Sequence, residues 1–584
     1  MSVGFRRSDQ PVQRDRSSAA GQSYFSERLR WQSILFAPEP ARQSLLALEA
    51  PWDLSPRRIR FHRNHAIEVT LSVARPFLEF AGIAPEWVVG EYDDSLSFPT
   101  LEPVDLEVVW LDYARFADRM KPEEIADWLG ERLAVLRSRT TSPVLVMDWD
   151  GAQSSATAFS AALSEVVAHL GDVRLADRTE LIRRLGERFF DLERASLTGT
   201  RMSAEGAAGT ARLLGGNWLP ALLMPRLKAV VVDLDNTLYD GVLGEDGIDS
   251  VVLTEGHTEL QRQLVELRDS GVLLGLLSRN ELGDVDELFR TRRDFPLRWE
   301  HFAAHSVGWQ PKSAGLERIA ASLRIDPSAI LFVDDNPGEL LEALLGVPGL
   351  RCVHAADDGY GTARALRYFP GLWAFERTEA DALRARDLRA NVERDSALAR
   401  SADDAGAYYR ELGVVLTVGQ NHPDQLPRVA ELSSKTNQFN LALSRYSLGQ
   451  VQELARSEKW QISTARLEDR LTDSGVVAMA LACRDADTLV VHELCISCRA
   501  LGRRLEDLIV AQMLVSGPVF AGTREVVFQF VEGPRNQPAR RWLEEFTGAE
   551  FPDAEKEHHV KISAERVLAA SVNPDVRMKW SDEH

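Results

Sequence analysis

Apolar runs and amphipathic stretches alternate along most of the chain. Residues 106–111 (Leu-Glu-Val-Val-Trp-Leu) read as a buried strand, and residues 122–137 follow with helical spacing. Residues 144–147 repeat the strand pattern and residues 158–170 the helical one, whereas residues 52–115 mix the two periodicities. A second series opens at residues 227–232 (Leu-Lys-Ala-Val-Val-Val) and recurs at 272–277, 329–333 and 350–353, each run preceded by a helix-like segment. This alternation predicts multidomain α/β architecture with parallel sheets, because parallel strands need crossovers that helices usually supply. Residues 378–412 are rich in Ala, Arg, Asp and Glu at helical spacing and predict a helical connector. In residues 413–569, strand patterns at 414–418, 476–482, 488–496 and 526–531 mix with helices and predict an α+β domain.

Composition bounds the function. The chain has 584 residues, 45% hydrophobic and 27% charged, which is ordinary globular usage. At roughly 150 residues per domain the length suggests about four domains. The patterns reduce this to a tail (1–30), an α/β domain (31–225), a second α/β domain (226–377), the connector (378–412), an α+β domain (413–569) and a tail (570–584). A formal net charge of −20 argues against non-specific binding to nucleic acid or anionic membranes, which need basic surface. No apolar run approaches the roughly 20 residues that span a bilayer. The first 30 residues are rich in Arg, Ser and Gln and lack the apolar core of a signal peptide. Four cysteines exclude a disulfide framework. The expectation is a cytoplasmic protein without nucleic-acid or membrane partners.

The most informative segment is Val230-Val-Val-Asp233-Leu-Asp235-Asn-Thr237, where an apolar strand ends in two carboxylates. Ligands of open parallel sheets bind beyond the carboxyl ends of the strands. Such a pair can hold Mg²⁺ while one residue attacks and the other moves protons. Ser278 follows the next apolar run and can bond a phosphoryl oxygen, Lys312 offers a cation, and Asp334 with Asp335 follow a third run as metal-binding carboxylates. Strand-end aspartates can also simply cap turns, but these elements in this order form a phosphoryl-transfer constellation.

The order and residues resemble the haloacid-dehalogenase (HAD) superfamily of Mg²⁺-dependent phosphatases. By that resemblance Asp233 is the nucleophile and Asp235 the acid/base. Asp233, Asp235, Asp334 and Asp335 form the metal set, and Thr237, Ser278, Arg279, Asn280 and Lys312 the phosphate set. The loop 238–247 is too short for a large cap and implies a Rossmannoid sheet with a minimal one. The loop also resembles that of the FkbH-like proteins, whose usual Trp and Gly stand as Tyr239 and Asp240 here. Ser278-Arg279-Asn280, Asp334-Asp335-Asn336-Pro337, Lys435-Thr-Asn437-Gln-Phe-Asn440, Arg445-Tyr446, Asp469-Arg470 and Ser497-Cys498-Arg499-Ala-Leu-Gly502-Arg503 continue the likeness as far as Asn536. The resemblance covers about residues 228–551. It implies a bifunctional enzyme of polyketide-type biosynthesis that dephosphorylates 1,3-bisphosphoglycerate and delivers glyceryl to the phosphopantetheine thiol of an acyl carrier protein. It also implies a GNAT-like third domain and a first domain similar to SGNH hydrolases.

Residues 488–497 read as a strand and 499–514 as a helix, which puts Cys498 at a helix N-terminus beside Arg499. Partial positive charge there lowers a thiol pKa, so Cys498 is the expected acyl-accepting nucleophile, with burial as a structural thiol the alternative. Cys495 completes Cys-x-x-Cys, but no second pair supports zinc. Lys435, Asn437, Asn440, Arg499, Arg503 and Asn536 are expected substrate or carrier contacts, with loop-closing hydrogen bonds and solvated charge as the competing readings. Arg504 stands where a coenzyme A-binding turn wants a small residue, which favours a pantetheine arm. His492 precedes the thiol and can serve as base or as a structural ring. The first domain lacks Gly-Asp-Ser, and Ser95 has no evident base, so a non-hydrolytic scaffold is expected. Two alternatives remain: a Mg²⁺ phosphatase of another small phosphorylated acid with a binding-only third domain, and a non-catalytic carrier-protein adaptor.

Overall fold

The computed structural model describes residues 18–98, 101–150, 153–377, 379–401, 404–533, 535–551 and 556–581. The chain is a multidomain α/β protein. The first sheet holds β1 (Ser55–Arg63), β2 (Ile83–Tyr92), β3 (Leu106–Trp110), β4 (Val144–Met147) and β5 (Val173–Ala176), all parallel, in the order β2-β1-β3-β4-β5. The second holds β6 (Ala229–Val232), β7 (Leu273–Ser278), β8 (Phe302–Val307), β9 (Ile330–Asp334) and β10 (Arg351–His354), again all parallel, in the order β10-β9-β6-β7-β8. The third is a mixed seven-stranded sheet. It is built from β11 (Val415–Gln420), β12 (Trp460–Glu468), β13 (Asp473–Asp485), β14 (Thr488–Ile496), β15 (Glu525–Val531), β16 (Glu557–Ser563) and β17 (Arg577–Trp580).

Continuous apolar runs such as β6 and β7 are buried along their whole length, as parallel strands covered on both faces must be. Strands β1 and β2 carry Arg, His and Glu between their apolar residues and lie where the sequence pattern is mixed. Charged residues sit inside the first domain because they are paired: buried Glu107 accepts from Arg60 Nη1 at 3.0 Å and meets His62 Nε2 at 2.9 Å.

Both expected tails contain regular structure. Ser18–Leu35 is a helix whose Phe25, Trp31 and Leu35 are buried, with the Trp31 ring 4.8 Å from Trp52. Its apolar residues are spread around the helix rather than gathered in one stripe, which hides it from periodicity. The first 17 residues of that expected tail lie outside the described residues. At the other end β17 pairs in parallel with β11, a pairing set by a distant strand. In the connector, helices Glu379–Arg400 and Ala405–Leu412 form.

The first two domains share a hydrophobic core, in which Phe36 packs 5.6 Å from Phe80 and 6.2 Å from Phe369. The third domain meets the N-terminal edges of both parallel sheets. Ser447 Oγ donates to Thr141 O, just before β4, at 2.6 Å, and Arg324 Nη1, before β9, donates to Leu501 O at 3.4 Å. The C-terminal edges of both sheets lie on the far side.

Candidate active site

In the second sheet the strand order reverses between β6 and β9, and a crevice forms beyond the carboxyl ends at such a switch point. Asp233 follows β6 and Asp334 ends β9, so the two carboxylates flank it. Lys312 opens the helix Lys312–Leu323 and reaches between them. Its ammonium donates to Asp233 Oδ1, lies 3.0 Å from Asp334 Oδ2, and donates to Leu277 O at 3.0 Å. Burial pushes the Asp233 carboxyl up to about 7, with Asp334 and Asp235 adding to the shift against the pull of Lys312. Lys312 is held above its ordinary value because Asp233 and Asp334 outweigh its burial.

Oxygens of Asp233, Asp334 and Asp335 lie within 4.8 Å of one another. Asp334 Oδ2 is buried with no aligned hydrogen-bond partner. This all-oxygen, carboxylate-rich set fits a hard divalent cation such as Mg²⁺. The Asp335 carboxyl is raised by burial and by Asp334, and its carbonyl meets His354 Nε2 at 2.8 Å.

Asp235 corrects one expectation. Among the described residues its carboxylate stands outside this group, because three donors occupy it. Tyr239 Oη and Leu243 N donate to Oδ1 at 2.6 and 2.9 Å, and Asn280 Nδ2 donates to Oδ2 at 2.7 Å. The Tyr239 phenol is pushed up by burial and by the adjacent carboxylate, so it stays a donor. Between these residues the chain turns at Asn236, whose φ of +51° is a conformation Asn tolerates; its Oδ1 accepts from Gly241 N at 3.0 Å. The loop carries only the short helix Leu243–Asp246, so the carboxylates are not roofed by a large cap.

The expected phosphate set is only partly brought together. Ser278 ends β7 buried, and its Oγ accepts from Asn280 Nδ2 at 2.9 Å. Asn280 thus spends its amide protons on Ser278 and Asp235, and it positions them rather than facing phosphate. Thr237 is buried with its hydroxyl unpartnered. Arg279 is engaged in an ion pair with Glu339 at 2.8 Å. Tyr239 was not singled out as a partner of Asp235; only its four-residue spacing in the loop signals the contact.

Cys498 lines a cavity of about 470 Å³, open mouth included, at the meeting of the second domain, connector and third domain. Five cationic side chains, Lys228, Arg384, Arg428, Lys435 and Arg499, line it with one carboxylate, Glu431. The helix expected to start at 499 begins only at Glu506, and Cys498 sits in a turn instead. Gly502 and Arg504, both at positive φ, keep residues between the strand and that helix non-helical. The thiol is still held below its ordinary value. Burial raises it, but Lys228, Arg384 and Arg499, with a hydrogen bond from Ser497, outweigh burial. Cys495 is fully buried and its thiol is pushed well up, which separates the two members of Cys-x-x-Cys.

Of the expected ligand contacts, Lys435, Asn437 and Arg499 line this cavity. Lys435 Nζ also pairs with Glu431 at 2.7 Å, and Arg499 Nη1 donates to Ser474 O at 2.5 Å. Arg503, Asn440 and Asn536 are corrections. Arg503 is buried in an ion network with Asp387 (3.2 Å) and Asp469 (3.4 Å). Asn440 Oδ1 accepts from Leu443 N at 2.7 Å, and Asn536 Nδ2 donates to Asn440 O at 3.0 Å, so both amides close loops. His492 packs on Trp460, with ring centres 4.8 Å apart. In the first domain Ser95 Oγ donates to Asp93 Oδ1 at 2.5 Å. Lys228, Arg384, Arg428 and Glu431 carried no sequence signal, since they come from three separate segments.

No helix among the described residues is long and apolar enough to cross a membrane. No family model and no curated protein matches the chain. Among solved structures it is similar to the N-terminal part of BF1531 from Bacteroides fragilis, described as containing a phosphatase domain complexed with Mg. That likeness has 16% identity over 60% of this chain and 99% of the other, with a TM-score of 0.47. A putative acetyltransferase of the GNAT family from Desulfovibrio desulfuricans is 14% identical over 26% of this chain and 99% of its own, TM-score 0.21. The ribosomal-protein-S18-alanine N-acetyltransferase from Escherichia coli is 10% identical over 26% of this chain and 92% of its own, TM-score 0.19.

Proposed function

We propose that the chain joins a HAD-type, Mg²⁺-dependent phosphatase to an acyl transferase, and that it takes 1,3-bisphosphoglycerate and passes glyceryl to the phosphopantetheine thiol of an acyl carrier protein. The observation that carries the phosphatase half is the trio Asp233, Asp334 and Asp335 at the sheet's switch point, with Lys312 between two of them. Asp233 attacks phosphorus through a carboxylate oxygen, and Asp235 gives a proton to the departing oxygen and later takes one from water. Lys312 and Ser278 hold the phosphoryl oxygens. Mg²⁺, held by Asp233, Asp334 and Asp335, would neutralise phosphoryl charge.

The transferase half rests on Cys498, a thiol with a lowered pKa at an open cavity. The substrate and carrier follow the resemblance to FkbH-like proteins in residues 228–551. The test is incubation with Mg²⁺, 1,3-bisphosphoglycerate and a phosphopantetheinylated carrier, read by carrier mass and phosphate release. A glyceryl adduct that Cys498→Ala abolishes supports the reading. Phosphate release without an adduct leaves a phosphatase alone, and neither signal leaves a binding protein.

A further inference from the structure

We infer that Asn437 is the oxyanion donor for acyl transfer at Cys498, and that Arg445 fixes its amide in the orientation this role needs. The inference rests on the transferase half of the reading above and adds a catalytic residue to it.

Register places the amide. Asn440 bridges Cys495 in antiparallel fashion, where residues 439–441 run against the end of β14. Ile496 N donates to Phe439 O at 2.9 Å, and Leu441 N donates to Leu494 O at 3.0 Å. Continued beyond Phe439 and Ile496, this register brings Asn437 opposite Cys498, and both residues line the same cavity. Directly opposed residues of antiparallel segments hold their Cβ atoms about 5 Å apart, which puts an amide within reach of a carbonyl bonded to the sulfur.

Hydrogen bonding decides which way the amide faces. Buried Glu493 accepts from Ala442 N at 3.1 Å and Ser444 N at 2.8 Å, and the turn it holds presents Arg445. The Arg445 guanidinium donates to the carbonyls of Ser433, Ser434 and Thr436 at 2.8, 2.9 and 2.6 Å. These bonds close the C-terminus of the helix Leu426–Lys435. Its Nη2 donates to Asn437 Oδ1 at 2.5 Å. A guanidinium has no acceptor, so the atom of Asn437 that meets it is the oxygen. Nδ2 is thereby turned away from Arg445, and nothing among the described residues accepts from it. Nearby cations are engaged: Lys435 and Arg428 share Glu431, and Arg499 donates to Ser474 O and Val476 O. A fixed, uncharged donor bonds an oxyanion more strongly than a neutral carbonyl, which is the preference that accelerates the step.

The step balances. The Cys498 thiolate attacks the acyl carbon, the S–C bond forms, and the carbonyl π electrons move to oxygen, where Asn437 Nδ2–H donates. The oxyanion collapses, the C=O bond reforms, and the bond to the donor's leaving group breaks with its electron pair. The carrier's thiol, having given its proton to water, attacks the thioester through an oxyanion in the same place. Cys498 then leaves as the thiolate.

The test uses the full chain and p-nitrophenyl acetate, a neutral acyl donor without phosphate. The burst of p-nitrophenolate that Cys498→Ala removes reports acylation of the sulfur. Iodoacetamide alkylates the same sulfur by displacement at a saturated carbon, with no oxyanion. Both rates are read at a pH where the thiol is fully ionised. Asn437→Ala should slow acylation on the order of 10²-fold and leave alkylation unchanged. Asn437→Asp keeps the acceptor for Arg445 but puts oxygen in place of the donor, and its acylation should be at least as slow. A parallel loss of both rates, or acylation as fast as in the wild type, overturns the oxyanion role while the transferase reading stands. A wild type without a Cys498-dependent burst sinks the transferase reading, and the oxyanion donor with it.

Discussion

Tyr239 donates its phenolic proton to Asp235 at 2.6 Å, four residues along a loop that turns back at Asn236. Together with Asn280 and the Leu243 amide it holds the Asp235 carboxylate away from the Asp233–Asp334–Asp335 group. The carboxylates after β6 thereby take different surroundings, as an attacking group and a proton-transfer group require.

Tyr239→Phe keeps the buried ring and removes one donor. The fold should survive, and Mg²⁺-dependent hydrolysis of p-nitrophenyl phosphate should lose roughly tenfold in kcat, about 1.4 kcal/mol of transition-state stabilisation. Steady-state kinetics check this; an unchanged kcat would remove Asp235 from the proton-transfer role.

Mg²⁺ should stabilise the protein through the carboxylate trio. At about 100 times the dissociation constant the gain is about 2.7 kcal/mol, visible as a rise in Tm of the transition of the first two domains, which share one core. Asp334→Asn removes one ligand and should abolish the rise. Thermal melts with Mg²⁺ and with chelator compare the two proteins.

The Cys498 thiol should titrate below an ordinary thiol's value of about 8.5. Cations favour the thiolate, so removing one in Lys228→Met must move the inflection of alkylation rate against pH upward. A downward shift or none would show that Lys228 does not act on the sulfur.

Arg503 is held with Arg394, Asp387 and Asp469 in a buried network. Arg503→Ala leaves buried carboxylates short of a partner and should cost on the order of 3–5 kcal/mol. Chemical denaturation measures this. Loss of carrier affinity at full stability would restore Arg503 as a ligand contact.

Legibility in the sequence followed the range of the forces involved. Strands β4, β6, β7 and β9 were visible because parallel strands buried on both faces are apolar over four or more successive positions, and β3 and β14 because apolar runs flank Glu107 in one and His492-Glu493 in the other. Strands β1, β2 and β17 and the first helix were not, since their charged residues are tolerated only through partners far along the chain. Arg60 and His62 of β1, which meet Glu107 across the sheet, are one example, and the β17–β11 pairing another. The helix expected at 499 failed for a local reason: apolar spacing continued backward past Gly502 and Arg504, whose positive φ ends helical geometry.

The sequence by itself determined the alternating α/β architecture, the strand-end aspartates with Lys312, and the choice of Cys498 among four cysteines. Each follows from short-range rules: strand burial, side-chain chemistry and chain order. Only the tertiary structure decided that Asp235 stands apart from the metal group and that Arg503, Asn440 and Asn536 are spent on internal bonds. It also decided that Lys228, Arg384 and Arg428, rather than a helix terminus, surround the thiol. These depend on which distant segments meet, and electrostatic influence on a buried sulfur acts through space, with no trace in the spacing of residues along the chain.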